Sequence, residues 1–140
     1  MTDTSSDACR LPVRIYYEDT DAGGVVYYAN YAKYMERGRT EWLRALGIDQ
    51  SELATREKCL FVVASLAIQY RRPARLDDIV TVNSSVRRIG VASIEFAQSI
   101  SRNGELLCDG TVKVGCVDAD SFRPTPIPPE LRLLLEKVSS

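Results

Sequence analysis

An α+β fold, with one long helix laid across an antiparallel sheet of five strands, is predicted by three features of the 140-residue sequence. One stretch, between residues 27 and 46, carries a helical stripe of apolar residues long enough for about five turns. Five other stretches alternate apolar and polar residues as half-buried strands do, and four of them follow the helix in succession. The joints between those four are mostly short and rich in turn residues, which favours antiparallel neighbours over crossovers.

Taken in order, residues 1–10 are polar and read as a disordered leader, and residues 11–140 as a single domain. Leu11 to Tyr17 is the first strand, with Leu11, Val13, Ile15 and Tyr17 on one face. Pro12 suits the beginning of a strand or a sheet edge, because it cannot donate to a ladder. The helix follows, with Tyr27, Tyr31, Tyr34, Met35, Gly38, Trp42, Ala45 and Leu46 on its apolar side. Its start falls either at Tyr28 or just after an Asn30 cap, and Gly47 is placed as the residue that ends it. Gly38 lies on the apolar stripe, where glycine costs about 1 kcal/mol against alanine. Close approach of the helix to the sheet would compensate.

Asp49 to Arg56 is a short helix capped by Asp49 or Ser51. Four strands come next: Leu60 to Tyr70, Asp78 to Arg88, Val91 to Ser101 and Glu105 to Val117. In the first of them Val62, Ala64, Leu66, Ile68 and Tyr70 share a side, and the last alternates through Leu106, Cys108, Val112, Val114 and Cys116. Gly90 marks one turn, and Asn103-Gly104 is the signal of a two-residue type I′ hairpin. A proline-rich piece from Pro124 to Pro129 leads to a last helix over Glu130 to Lys137. A helix from Tyr28 to Leu46 would be roughly 28 Å long, and five strands make a sheet about 20–25 Å wide, so one helix can cross it.

Composition excludes several classes of function. Eighteen basic against 19 acidic residues leave a net charge of −1, without the basic footprint of a nucleic-acid or anionic-membrane binder. No apolar run reaches the length of a transmembrane helix, and the N-terminus has no signal-peptide core, which points to the cytoplasm. The four cysteines, Cys9, Cys59, Cys108 and Cys116, form no CxxC pair, and there is no histidine. They read as reduced thiols used as small apolar residues, and no metal site is expected. Without histidine, no Ser-His-Asp or Cys-His device can operate within the chain.

The chemically distinctive stretch is Tyr16 to Tyr31, which gathers three acidic residues, five tyrosines and the Gly23-Gly24 pair. Asp21 precedes the glycines and lies a few residues before a helix N-terminus. Such a terminus offers free N–H groups and about half a positive charge, which can receive a carbonyl oxygen as it becomes an oxyanion. A carboxylate beside it can act as a base toward water or as a nucleophile. Gly23 and Gly24 would let the backbone approach a ligand closely. These residue types suit acyl transfer to water. They equally suit a solvated acidic loop in which Asp21 only closes a turn. A phosphate loop is excluded, since neither GxxxxGK[ST] nor GxGxxG occurs.

The run from Tyr17-Glu18-Asp19-Thr20-Asp21-Ala22-Gly23-Gly24-Val25-Val26-Tyr27 to Asn30-Tyr31, with Glu36-Arg37 and Arg39-Thr40-Glu41 on the helix, resembles the 4-hydroxybenzoyl-CoA thioesterase family. Within it the sequence looks most like the Tol–Pal-associated acyl-CoA thioesterases, over roughly residues 11 to 130. The resemblance implies a hotdog fold, a long helix wrapped by an antiparallel sheet. It implies hydrolysis of acyl-CoA thioesters without a cofactor, CoA being part of the substrate. It also implies homodimers, often paired into tetramers, with the site at the subunit interface.

By the same resemblance Asp21 is the catalytic carboxylate, Tyr17 lies beside it, and the backbone N–H of Tyr28 polarises the thioester carbonyl. Gly23, Gly24 and Val25 are expected against the substrate. Arg87, Arg88 and Ser93, around the Gly90 turn, match positions that touch CoA phosphates in the family, as guanidinium forks can. They also fit a solvated basic turn. Arg71, Arg72 and Arg75 read as a solvated cluster, and Trp42 as packing. The Tol–Pal-associated members usually carry histidine where this chain has Tyr28. A backbone N–H role survives that exchange and an imidazole role does not. Two other readings stand beside hydrolysis: a hotdog module that binds acyl-CoA without turnover, and a hydratase or dehydratase, which ranks last because such enzymes pair an aspartate with a histidine.

Overall fold

A computed structural model describes residues 10–138. The leader expected over residues 1–10 lies outside the described residues except for Arg10, which opens the first strand. The elements run β1 (Arg10–Arg14), a 3-10 turn (Tyr17–Asp19), α1 (Asn30–Ala45), α2 (Gln50–Arg56), β2 (Cys59–Tyr70), β3 (Ile79–Ile89), β4 (Ser93–Arg102), β5 (Glu105–Asp118) and α3 (Pro129–Val138). The five strands form one sheet in the order β1-β3-β4-β5-β2, with every neighbouring pair antiparallel. Pro12 sits in β1 at one edge of the sheet, where its missing N–H costs no ladder bond.

Helix α1 packs its tyrosine- and tryptophan-bearing stripe on this sheet. Tyr31, Tyr34, Met35, Gly38, Trp42 and Leu43 are all buried. The core falls into two clusters along the helix. One gathers Trp42, Phe96, Val114, Leu131 and Leu135, with Trp42 and Phe96 meeting edge to face at 5.6 Å. The other gathers Val13, Ile15, Val26, Tyr31, Tyr34, Met35, Val80 and Ile100. Between them Gly38 brings the helix backbone onto the strands, as its place on the stripe predicts. A Cβ there would lie 2.7 Å from Val82 Cγ1 and 3.0 Å from Ser84 Oγ.

A polar seam runs through the same region. Buried Arg39 donates to Gln98 Oε1 at 3.0 Å, while Gln98 Nε2 donates to Met35 C=O and to Ser84 Oγ, each at 2.8 Å. Three thiols, Cys59, Cys108 and Cys116, are buried as expected. Burial pushes the Cys108 thiol up to about 12, so it stays neutral and unreactive.

The turn signals match the structure closely. Helix α1 ends in a Schellman arrangement, with Gly47 N–H donating to Arg44 C=O and Ile48 N–H to Leu43 C=O. Asp49 caps α2 by accepting the Ser51 and Glu52 N–H groups. Asn103 and Gly104 both take positive φ, 52° and 81°, as a type I′ turn requires.

Three expectations need correction. The first strand ends at Arg14, and Tyr17 turns away into the 3-10 turn because the Asp19 carboxylate captures the Tyr16 N–H at 2.8 Å. In β5 a register irregularity opposite Ile100 and Ser101 turns Leu107 inward and leaves Leu106 half exposed. In β2, a register shift between Val63 and Ser65 moves Val62 off the side that Leu66, Ile68 and Tyr70 still share opposite Val112, Gly110 and Cys108, and Val62, Val63, Leu66 and Tyr70 are exposed. This strand pairs with β5 on one side only.

Candidate active site

The stretch between β1 and α1 folds into a small hairpin. Thr20 and Val26 form an antiparallel bridge. Tyr27 N–H donates to Asp19 C=O at 3.0 Å, and Asp21 N–H to Val25 C=O at 2.8 Å. The tip is a turn closed by Gly24 N–H on Asp21 C=O at 3.0 Å. Gly24 adopts φ +82°, a conformation that glycine takes at little cost. The hairpin leans on the loop after β2: Val26 N–H donates to Ala74 C=O at 2.9 Å, and Val25 bridges Arg75.

Asp21 is exposed on this hairpin. Its Oδ1 accepts the Gly23 N–H at 2.8 Å, and its Oδ2 takes no hydrogen bond among the described residues. One oxygen therefore fixes the rotamer while the other stays open to water or a ligand. The turn-closing role and the reactive role proposed for Asp21 are thus compatible in one side chain. The N–H groups of Gly23 and Gly24 are spent on Asp21, so any contact these glycines make with a ligand uses their carbonyls or bare Cα faces.

Tyr28 follows the hairpin directly and precedes the first helical residue by two positions. Ala29 occupies the cap position of α1 without a side-chain cap bond, so Asn30 begins the helix and does not cap it. No acceptor among the described residues takes the N–H of Tyr28 or of Ala29. This exposed helix start is where an oxygen with developing negative charge would be bound.

The Tyr28 ring meets Tyr27 at 4.9 Å and, edge-on, Tyr70 of β2 at 6.2 Å. Tyr70 Oη donates to Tyr28 C=O at 3.2 Å. Burial, with Cys108 and Tyr28 nearby, raises the Tyr70 phenol, so it remains a proton donor at neutral pH. Tyr31 lies under this cluster and its Oη accepts the Ala74 N–H at 3.0 Å. Tyr34 is buried behind the hairpin, and its hydroxyl reaches no partner at hydrogen-bonding geometry among the described residues. Burial first, then the nearby Asp19 carboxylate, keeps that phenol neutral.

Asp21, Gly23, Gly24, Val25 and Tyr28 are therefore brought together, within one turn and the helix start it feeds. Tyr17 stands on the 3-10 turn at 82% exposure, and no hydrogen bond links its side chain to Asp21. Arg87, Arg88 and Ser93 lie at the far end of β3 and the start of β4. Eight residues of strand separate Ile79, near the hairpin, from Arg87, which is about 26 Å. Within one chain they do not join Asp21, and Arg87 pairs with Glu95 at 3.5 Å. The basic cluster after β2 is largely paired too, Arg71 with Asp109 at 2.8 Å and Arg72 with Glu105 at 3.3 Å. Tyr70 and Asn30 are residues to which sequence reasoning assigned no role in the site. The only trace of Tyr70 was a tyrosine at the end of a strand, which reads as packing.

The fold and this site together define a hotdog-fold thioester hydrolase. A profile of the thioesterase-like superfamily matches residues 15–135, and the chain belongs to that family. It is 47% identical over 122 residues to the acyl-CoA thioesterase YbgC of Haemophilus influenzae, covering 87% of this chain and 90% of that protein. The acyl-CoA thioester hydrolase YbgC of Escherichia coli is 42% identical over 120 residues, 85% of this chain and 89% of the relative. A crystal structure of a probable thioesterase from Bartonella henselae superposes with a TM-score of 0.82 at 33% identity, covering 85% of this chain and 98% of its own. No helix among the described residues is long and apolar enough to cross a membrane.

Proposed function

We propose that this protein hydrolyses acyl-CoA thioesters to a carboxylate and free CoA, with the Asp21 carboxylate as base or nucleophile. The observation that carries this is the pairing of an anchored carboxylate that keeps one oxygen open with a helix start whose Tyr28 N–H has no acceptor. The names of the YbgC relatives supply the CoA ester as the substrate class.

On the base route, Asp21 takes a proton from water and the hydroxide attacks the thioester carbon. On the nucleophilic route, Asp21 attacks that carbon itself and water then cleaves the mixed anhydride. Both routes place the developing oxyanion on the Tyr28 N–H. In both, the tetrahedral intermediate collapses by breaking the C–S bond and releasing CoA as its thiolate, which on the nucleophilic route forms the anhydride before water cleaves it. Loss of one oxyanion donor typically costs about 10²- to 10³-fold in rate, so this contact is a substantial share of the catalysis. Neither route requires a metal or redox cofactor. With no imidazole in the chain, the acid limb of the pH–rate profile reports a carboxyl group.

The acyl group is assigned only as short-chain, aromatic or longer. Tyr28 replaces the histidine usual in the subgroup that the sequence resembles, which preserves the N–H and changes the ring at the helix start. We assign the protein to the cytoplasm. We also propose that two copies pair through β2, whose outer edge is unpaired and whose exposed residues include Val63, Leu66 and Tyr70. An exposed apolar edge of this kind is a template for strand pairing. Arg87, Arg88 and Ser93 would then approach a CoA moiety only from the partner copy.

The test is a panel of short, long and aromatic acyl-CoAs, read by release of the free CoA thiol alongside ligand binding. Turnover on at least one member is expected. Binding without release on every member would overturn hydrolysis in favour of a binding module.

A further inference from the structure

We infer that Asn30 is a positioning residue for the oxyanion-binding N–H of Tyr28, an inference that rests on the hydrolytic reading above. Asn30 holds the Tyr27–Tyr28 junction from two directions. Its Nδ2 donates at 2.9 Å to Asp19 C=O, the same acceptor that takes the Tyr27 N–H at 3.0 Å. Its backbone N–H donates at 2.9 Å to Tyr27 C=O.

That carbonyl belongs to the same planar peptide unit as the Tyr28 N–H. The unit is trans, so pinning the C=O toward the helix fixes the N–H on the opposite side, aimed away from it. Asp19 C=O thus becomes a common anchor. It ties the hairpin that carries Asp21 to the helix start that carries the donor, and Asn30 is the side chain that closes the tie. The partly buried amide is not explained by helix formation. Asn30 is not the cap of α1, and asparagine is a poor helix former.

Two substitutions separate positioning from general stability. Asn30→Ala removes the Nδ2 donor. Asn30→Asp keeps the shape, removes the donor and places a negative charge at a helix N-terminus, where it favours the helix. In both, kcat should fall on the order of 10- to 100-fold, the usual consequence of a donor displaced by a fraction of an ångström to an ångström. KM should stay within about threefold, since the contact serves the transition state. Asn30→Asp should melt no lower than wild type, and exchange of the Tyr27 amide should quicken in both variants.

If kcat stays within about twofold of wild type in both variants, while Asp21→Asn is impaired, the positioning role is overturned and the hydrolytic reading stands. If kcat falls only in proportion to a lowered melting temperature, with Tyr27 exchange unchanged, Asn30 is structural and the inference is likewise overturned. If wild type releases no CoA from any acyl-CoA, the hydrolytic reading fails and this inference fails with it.

Discussion

Asp21 could be read from the sequence only as a candidate reactive carboxylate, since glycines follow it and a helix begins soon after. The hydrogen bond from Gly23 that leaves one oxygen free was not legible, since it depends on the turn's φ and ψ angles. Asn30 was visible as a candidate cap and as part of the family-like run, but its bond to Asp19 was not, because a side chain that reaches back eleven residues leaves no periodic trace. Asp78 shows how a residue outside the hairpin supports it. Its Oδ2 accepts the Arg75 N–H at 2.9 Å and an Arg102 guanidinium N–H at 2.6 Å. This fixes the loop whose Ala74 C=O receives Val26. Burial works to raise the Asp78 carboxyl, but those two donors and the Arg102 charge outweigh it and hold it below the ordinary carboxylate range. A depressed carboxyl stabilises the fold above its unfolded value of about 3.9 and loses that contribution as pH falls through its folded value. The melting temperature of Asp78→Asn should therefore lie below wild type at pH 7, and the gap should close on acidification toward pH 3 (about the lower end of carboxylate titration). A gap constant across that range would show that the charge contributes nothing.

At the scale of elements, the long helix was the easiest to read and β2 the hardest. The helix stripe repeats over many residues and faces a single core, so periodicity alone located it. Its last turn, the α2 cap and the Asn103-Gly104 hairpin were also predicted correctly, because each rests on local chemistry that acts within a few residues. The side taken by Val62 in β2 and the inner residue of β5 were misassigned for a common reason. An irregularity in register moves side chains to the other face, and nothing in an alternating pattern announces it. Gly38 was read as a site of close approach, and the structure gives that approach a number that can be tested. Alanine there would gain about 1 kcal/mol of helix propensity but place a Cβ 2.7 Å from Val82 Cγ1. Overpacking of this kind typically costs about 1–3 kcal/mol, so Gly38→Ala should lower the melting temperature. Val82→Ala should cost less in the Gly38→Ala background than it costs alone in the wild-type background. Simple additivity of the two losses, seen in a thermal-denaturation cycle, would argue that the helix and strand do not touch at this point.

The whole molecule puts the candidate site at one end of the helix, beside β2, one of the two strands whose outer edge is unpaired among the described residues. Tyr70 joins the two, since it belongs to β2 and donates to the backbone of Tyr28. Pairing of two copies along β2 would thus bear directly on the site. Leu66 is 44% exposed on that strand, and a lysine on an edge strand opposes pairing. Leu66→Lys is expected to shift the protein to monomer in sedimentation equilibrium, with loss of turnover. A Leu66→Lys protein that sediments as wild type would place the interface elsewhere. The sequence could not reveal this relation, because which edge stays open depends on strand order, and strand order depends on contacts far apart in the chain. The account rests finally on one carboxylate. The most direct measurement is kcat of Asp21→Asn against wild type on the best acyl-CoA substrate. Asparagine keeps an oxygen for the Gly23 N–H and so preserves the turn, but it can neither take a proton nor attack. A fall of about 10²- to 10⁴-fold in kcat is predicted from the loss of base or nucleophile, and turnover equal to wild type would contradict the assignment.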